Sequence, residues 1–197
     1  MTCVEPIKKR VVAFFDSQNL FQSAKNAWGY SFPNFDPIEL SKMIVRAHAP
    51  DQWWLRGIRI YTGIHDHSIN PKWHKFWANK LNAHKAKDSR VHFFTTPLRY
   101  SNGVAREKGV DVRIAIDLVV MAIEDKYDVA LLFSQDNDLS QAATEIRSIV
   151  QKQQRWIKIA SAYPYAAGSP NHRGVDKTDW IHIDKAQYDS CIDSAKY

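Results

Sequence analysis

Three short acidic stretches carry the residues of this sequence best suited to chemistry: FFDSQN at residues 14–19, KGVDVRIAID at 108–117 and SQDNDL at 134–139. The first and third place carboxylates just after apolar runs fit for buried strands, and the second places them at the start of a helical pattern. In an open α/β sheet, the carboxyl ends of strands and the amino ends of the helices that follow share one rim, where ligands bind. Acids far apart in the chain would therefore meet. A bare cluster of Asp side chains repels itself and shifts its own pKa values, so it is tolerable mainly with a divalent cation among the oxygens. Oxygen-only donors match a hard ion such as Mg²⁺ or Mn²⁺ better than a softer metal.

The elements that must position these acids can be read in order. Lys8-Lys9-Arg10 leads into Val11-Val12-Ala13-Phe14-Phe15, a continuous apolar run for a central strand that ends at Asp16. Ser17, Gln18 and Asn19 follow as short polar residues of a turn. An aromatic loop over 26–35 precedes a helix opened by Asp36-Pro37-Ile38-Glu39, an N-cap, proline and acid in the capping-box arrangement. A second strand is expected over 56–62. A helix from Asn70-Pro71 carries Trp73, Phe76, Trp77 and Leu81 as a core stripe, with Lys80, Lys85, Lys87 and Arg90 as a solvated basic tail.

A third strand over 91–95 and a loop over 96–108, carrying Arg99, Arg106 and Lys108, lead to a helix in which Val112, Ala115, Val119 and Ala122 or Ile123 form the apolar stripe. Asp111 sits at its amino end, where the helix dipole favours negative charge. Asp117 lies about 240° further round an ideal helix and cannot share that direction, which makes it a supporting or structural acid. Residues 128–133 form a fourth strand that delivers Ser134, Asp136 and Asp138. Asp138 can also cap the next helix, whose stripe is Leu139, Ala142, Ala143, Ile146, Ile149 and Val150. A fifth strand over 156–160, a loop over 163–177 rich in turn residues, a short strand over 180–183 and a terminal helix complete the chain.

At 197 residues with 45% hydrophobic content and seven Trp, the chain suffices for one well-cored domain. Its core is expected over about 8–161, with the loop, short strand and helix of 162–197 appended. Cys3 and Cys191 have neither metal-ligand spacing nor the pattern of a disulfide framework, and His65, His67, His74 and His84 share no compact zinc pattern. No signal peptide core and no run near the roughly 18 apolar residues of a membrane span is present. A cytoplasmic protein without membrane association is the expectation. The net charge of +6 and pI near 9.3 favour a polyanionic partner. A basic whole with an acidic rim fits a metal that meets phosphate.

Strands alternating with helices indicate a three-layer α/β/α fold, Rossmann-like, with a mostly parallel sheet of about five strands. With that alternation in place, an Asp-x-x-Asn after the first strand, a Lys-Gly-Val-Asp helix start with a later Asp, and a Ser-x-Asp-x-Asp after the fourth strand together resemble the NYN domain family of the PIN-like, metal-dependent ribonuclease superfamily. The resemblance spans roughly residues 8–161. It implies that Asp16, Asp111 and Asp136 are catalytic, metal-binding acids with Asp138 as a fourth ligand, and that Asn19 and Ser134 are polar supports beside them. Ser17 and Gln135 stand where the family often has Gly, and Gln135 is expected to narrow the rim.

What the resemblance implies is an endoribonuclease that hydrolyses RNA phosphodiester bonds with Mg²⁺ or Mn²⁺. Single-stranded RNA is the expected partner, contacted at Arg99, Arg106, Lys108 and Arg173, and a homo-oligomer is compatible with the sequence. The loop over 163–177, with Tyr163, Tyr165, His172 and Arg173, is expected to border the nucleic-acid channel and to stay mobile until RNA binds. Two other readings stand open: a non-catalytic nucleic-acid or protein-binding module that keeps the acidic rim, and a phosphohydrolase for small molecules.

Overall fold

In a computed structural model, which describes residues 4–195 and 197, six parallel strands form one sheet and a two-stranded antiparallel hairpin stands apart from it. Cys3 lies outside the described residues. The chain enters through β1 (Lys9–Asp16), passes α1 (Ser17–Trp28) and α2 (Pro37–His48) to β2 (Trp53–Ile64), then α3 (Pro71–Lys87) to β3 (Val91–Pro97). The hairpin strands β4 (Arg99–Ser101) and β5 (Val104–Arg106) come next. The chain then crosses the sheet through α4 (Val110–Ile123) to β6 (Val129–Phe133), and α5 (Ser140–Gln153) leads to β7 (Lys158–Pro164). It closes with β8 (Asp179–Ile183) and α6 (Lys185–Asp189).

The strand order is β3-β2-β1-β6-β7-β8. The first half of the chain therefore builds outward from β1 in one direction and the second half in the other. The crevice where that order reverses lies between the carboxyl ends of β1 and β6, where ligands of open α/β sheets bind. Alternation along β1 sorts the two cores. Val11, Ala13 and Phe15 pack on the side of α1, α2, α3 and α6, while Val12 and Phe14 pack on the side of α4 and α5. Phe15 and Phe133, partners in register on β1 and β6, stack at 4.0 Å between centroids just beneath the crevice.

The sheet has six strands, because residues 179–183 pair with β7 in parallel and Ile181, Ile183 and Tyr188 enter the main core. Five further expectations need correction. Residues 17–19 are the first turn of α1, started by the Asp16 side chain as N-cap. The loop over 96–108 contains the hairpin, turned at Asn102 and Gly103, both with positive φ; Asn-Gly is the strongest short hairpin signal, and its two-residue turn needs that backbone.

Lys80 is no solvated charge: it is 2% exposed, bonded to Asp193 at 2.6 Å and seated over the rings of Phe35 and Tyr197. Helix α4 buries Val110, Ile114, Leu118 and Ala122, and leaves Val112 and Ile123 exposed. A helix apolar all round has no periodicity by which its sequence can choose a face.

Asp36 does cap α2, accepting from the Ile38 and Glu39 amides, but Glu39 reaches Lys42 rather than closing the box. The aromatic segment before it packs as expected, with Trp28 and Tyr30 against Tyr188.

Candidate active site

The acids that the chain carries to the rim line a cleft of about 450 Å³ between α1, β6 and the amino end of α4. Asp16, Asp111 and Asp136 line it, together with Gln18, Asn19, Gln22, Glu107, Lys108, Gly109 and Val110. Asp16 is fixed most firmly. As the last residue of β1 it is buried, its Oδ1 accepting from the Asn19 amide at 3.1 Å and its Oδ2 from the Ser134 hydroxyl at 3.2 Å. The strand ending and the helix cap are the same residue, which leaves its carboxylate no freedom to turn away.

Burial pushes the Asp16 carboxyl up to about 6; its two hydrogen bonds oppose this, and the nearby charges of Asp136 and Asp111 add to it. Ser134 and Asn19 act as struts between the two strand ends. The Ser134 hydroxyl also accepts from the Asp136 amide at 3.0 Å, and the Asn19 side-chain oxygen accepts from the Gln135 amide at 2.8 Å. Asp136 in turn caps a one-turn 3₁₀ helix (Asn137–Leu139), its Oδ1 accepting from the Asp138 amide at 3.0 Å.

Asp111 enters from the first turn of α4, after Gly109 holds the left-handed φ of 82° that starts the helix. Glu107 forms the far wall. Its Oε2 accepts from the Gly63 amide at 2.7 Å, and a Cβ at Gly63 would stand 2.8 Å from that oxygen and 2.3 Å from the Leu98 side chain. Glycine there makes the seat for the acid. Burial raises the Glu107 carboxyl to about 7, with Asp16 and Asp111 pushing the same way. Nothing in an acid embedded in Arg-Glu-Lys marks it in the sequence as buried. The Asn-Gly turn before it is the usable signal, since it returns the chain to the rim.

Two of the expected acids, Asp138 and Asp117, do not line the cleft. Asp138 is exposed. Asp117 faces β2, bonded to Arg59 at 2.6 Å and to the Tyr61 hydroxyl at 2.7 Å, and paired with Arg113 at 2.9 Å. Its carboxylate thus points away from Asp111, in keeping with their angular separation on the helix. Gln135 does not narrow the rim: its side chain accepts from Ser23 on α1 and donates to the carbonyls of Asn171 and Arg173.

That contact also anchors the segment after β7. Tyr163 is buried with its hydroxyl on the His172 carbonyl, Val175 is fully buried, and Asn137 and Asp176 exchange two hydrogen bonds. The segment is therefore tied to the turn after β6 and to β7 at several points along its length. Lys108 is exposed where it lines the cleft, and Arg99 and Arg106 are exposed on the hairpin, whereas Arg173 is paired with Asp176 at 2.8 Å.

Among the described residues, no three His, Cys, Asp or Glu side chains stand close enough to hold one metal ion between them. The donor set nevertheless fits a hard cation by its chemistry. Mg²⁺ usually keeps several waters and takes only one or two carboxylates from the protein, so water can bridge spaces that Ca²⁺ or Zn²⁺ cages fill with side chains.

A family model of the NYN domain matches residues 10–170, a span holding every acid of the cleft. The chain belongs to the NYN domain family. NYN domains are a branch of the PIN-like nucleases. The crystal structure of a protein of unknown function from Vibrio parahaemolyticus shares the fold at a TM-score of 0.60 and 18% identity, covering 92% of this chain and 97% of that one. No curated protein matches the sequence. In this NYN domain no described helix is long and apolar enough to cross a membrane.

Proposed function

We propose that this NYN domain is an endoribonuclease that hydrolyses RNA phosphodiester bonds with a divalent cation, Mg²⁺ or Mn²⁺, held at the cleft. One observation carries the reading. Asp16 is buried among neutral donors and other acids, and no Lys or Arg among the described residues is paired to it, which favours a counter-charge supplied by a bound cation. Asp16, Asp111 and Asp136 would hold the cation, directly or through its waters. When bound, such an ion lowers the pKa of a water and stabilises charge on the transferring phosphoryl group.

The chain's own residues do the rest. Ser134 and Asn19 lock the Asp16 carboxylate in one orientation and tie the end of β1 to the turn after β6. Pre-organised oxygens of this kind need no rearrangement when substrate arrives. Lys108 lines the cleft, and Arg99 and Arg106 lie on the hairpin that ends just before Glu107. These cations would hold the backbone of single-stranded RNA without reading its sequence.

The test is cleavage of single-stranded RNA with Mn²⁺ by the wild type and by Asp16→Asn, Asp111→Asn and Asp136→Asn. Activity in the wild type and its loss to background in all three variants is the expected result. The spacing of the acids gives the binding-module reading its one specific support, since no three of them close on an ion. Tight RNA binding with no cleavage under any divalent ion would establish that reading instead.

A further inference from the structure

Helix α4 presents an apolar strip to solvent. Val112 is 56% exposed, Ile116 49%, Val120 42% and Ile123 54%, and the spacing of four, four and three residues puts all of them on one side of the helix. The opposite side is saturated, with Ile114 and Ala122 fully buried and Leu118 at 1%. Scattered exposed aliphatics need no explanation, but four in line on one helix form a strip of roughly 300 Å², the size at which a surface patch is often functional. Surface helices normally place charges on this side.

We propose that this strip is the interface of a homodimer, in which α4 packs antiparallel against α4 of a second copy about a two-fold axis at Ile116. Self-complementarity picks the second copy as occupant. With Ile116 meeting itself, Val112 lies opposite Val120 of the other chain, and Ile123 opposite Gly109, where the absence of a side chain leaves room for it. The ends match in charge. The amino end carries Arg106 and Lys108, neither ion-paired among the described residues, and the carboxyl end carries Glu124, whose only ion pair among those residues is a loose one to Lys126 at 4.0 Å.

Antiparallel packing sets the basic end of each helix beside the acidic end of its neighbour and opposes the two helix dipoles. The strip supplies less than half of the roughly 800 Å² per partner usual in a stable complex, so the dimer is reversible rather than obligate. The geometry also bears on the cleft. Asp111 lies five residues from the axis, so the two copies of Asp111 would be offset by about 15 Å along the helix pair. Both clefts would then border the interface, facing opposite ends.

Sedimentation velocity over a concentration series tests this without reference to any activity. The wild type should show a monomer–dimer equilibrium. Ile116→Glu should be monomeric throughout, with an unchanged circular dichroism spectrum. Glu124→Lys should weaken the dimer, and adding Lys108→Glu should restore it. Because Ile116 faces its own copy, Ile116→Cys should form an intermolecular disulfide at the two-fold, whatever the effect of the Glu substitution on folding. A wild type that stays monomeric at its highest soluble concentration overturns the proposal. So does a dimer that persists in Ile116→Glu or fails to cross-link through Ile116→Cys.

Discussion

Two groups of buried acids in this molecule differ in what surrounds them. Under α3, Asp193 accepts from Lys80 at 2.6 Å and from the Tyr197 hydroxyl at 2.9 Å, with His84 at 3.3 Å, and Asp36 is bonded to Lys87 at 2.8 Å. In the cleft, Asp16 is more deeply buried than Asp193 and has only an amide, a hydroxyl and other acids. The consequences run in opposite directions. Burial works against ionisation of Asp193, yet Lys80, the Ala195 amide and the Tyr197 hydroxyl together hold that carboxyl below the usual range. Burial of Asp16 goes uncompensated and its carboxyl rises. An acid whose counter-charge is built in stabilises the fold, whereas one left among acids is kept at a cost to the fold and points to an external cation.

The largest stability change should follow from breaking the internally compensated group. Lys80→Met leaves Asp193 buried without its cation, and losing one partner of a buried pair costs about 3 kcal/mol. Urea denaturation at pH 7 would measure it. A loss no larger than that of a surface Lys, such as Lys85→Met, would mean that the group contributes little to the fold.

Asp16→Asn should shift stability the other way. A carboxyl raised from near 4 to about 6 favours the folded state while protonated, and this contribution is lost as pH rises through that window. Above pH 6 the full penalty applies, amounting to at most about 3 kcal/mol. Without divalent ions, Asp16→Asn should therefore be more stable than the wild type at pH 7 and indistinguishable from it near pH 4. Adding Mn²⁺ should raise the melting temperature of the wild type and leave the variant unmoved. Destabilisation by Asp16→Asn in chelator at pH 7 would mean that the carboxylate serves the fold as a helix cap rather than a cation site.

The same contrast explains what the sequence could reveal. Asp16, Asp111 and Asp136 are legible because each follows a strand-like run or opens a helix, and parallel topology carries all such positions to one rim. Glu107 was not, because its burial depends on a hairpin folding back over Gly63, a long-range event with no local signature. Lys80 reads as a surface charge until the carboxyl-terminal segment brings Asp193 to it, 113 residues away. On α4, buried and exposed aliphatics are alike in type, and only the sheet decides which side is covered. Periodicity reports which residues share a face, and pairing reports why a charge can be buried; only the first is local.

The smallest expected effect separates two kinds of arginine at the rim. Arg99 and Arg106 sit directly across from each other on the hairpin, and like charges so placed are unfavourable unless an anion lies between them. Neither has an acidic partner among the described residues. Arg173 differs: it is paired with Asp176 and lies over the Trp180 ring. If single-stranded RNA crosses the hairpin, replacing Arg99 or Arg106 with Ala removes one phosphate contact. That should flatten the dependence of log affinity on log salt by about 0.7 for each. Arg173→Ala should leave the slope unchanged, because its charge is already neutralised within the protein. Fluorescence anisotropy of a labelled oligoribonucleotide across a salt series distinguishes them. Equal flattening by all three would put the RNA path over the segment after β7 as well, whereas no change in any would remove the hairpin from the path.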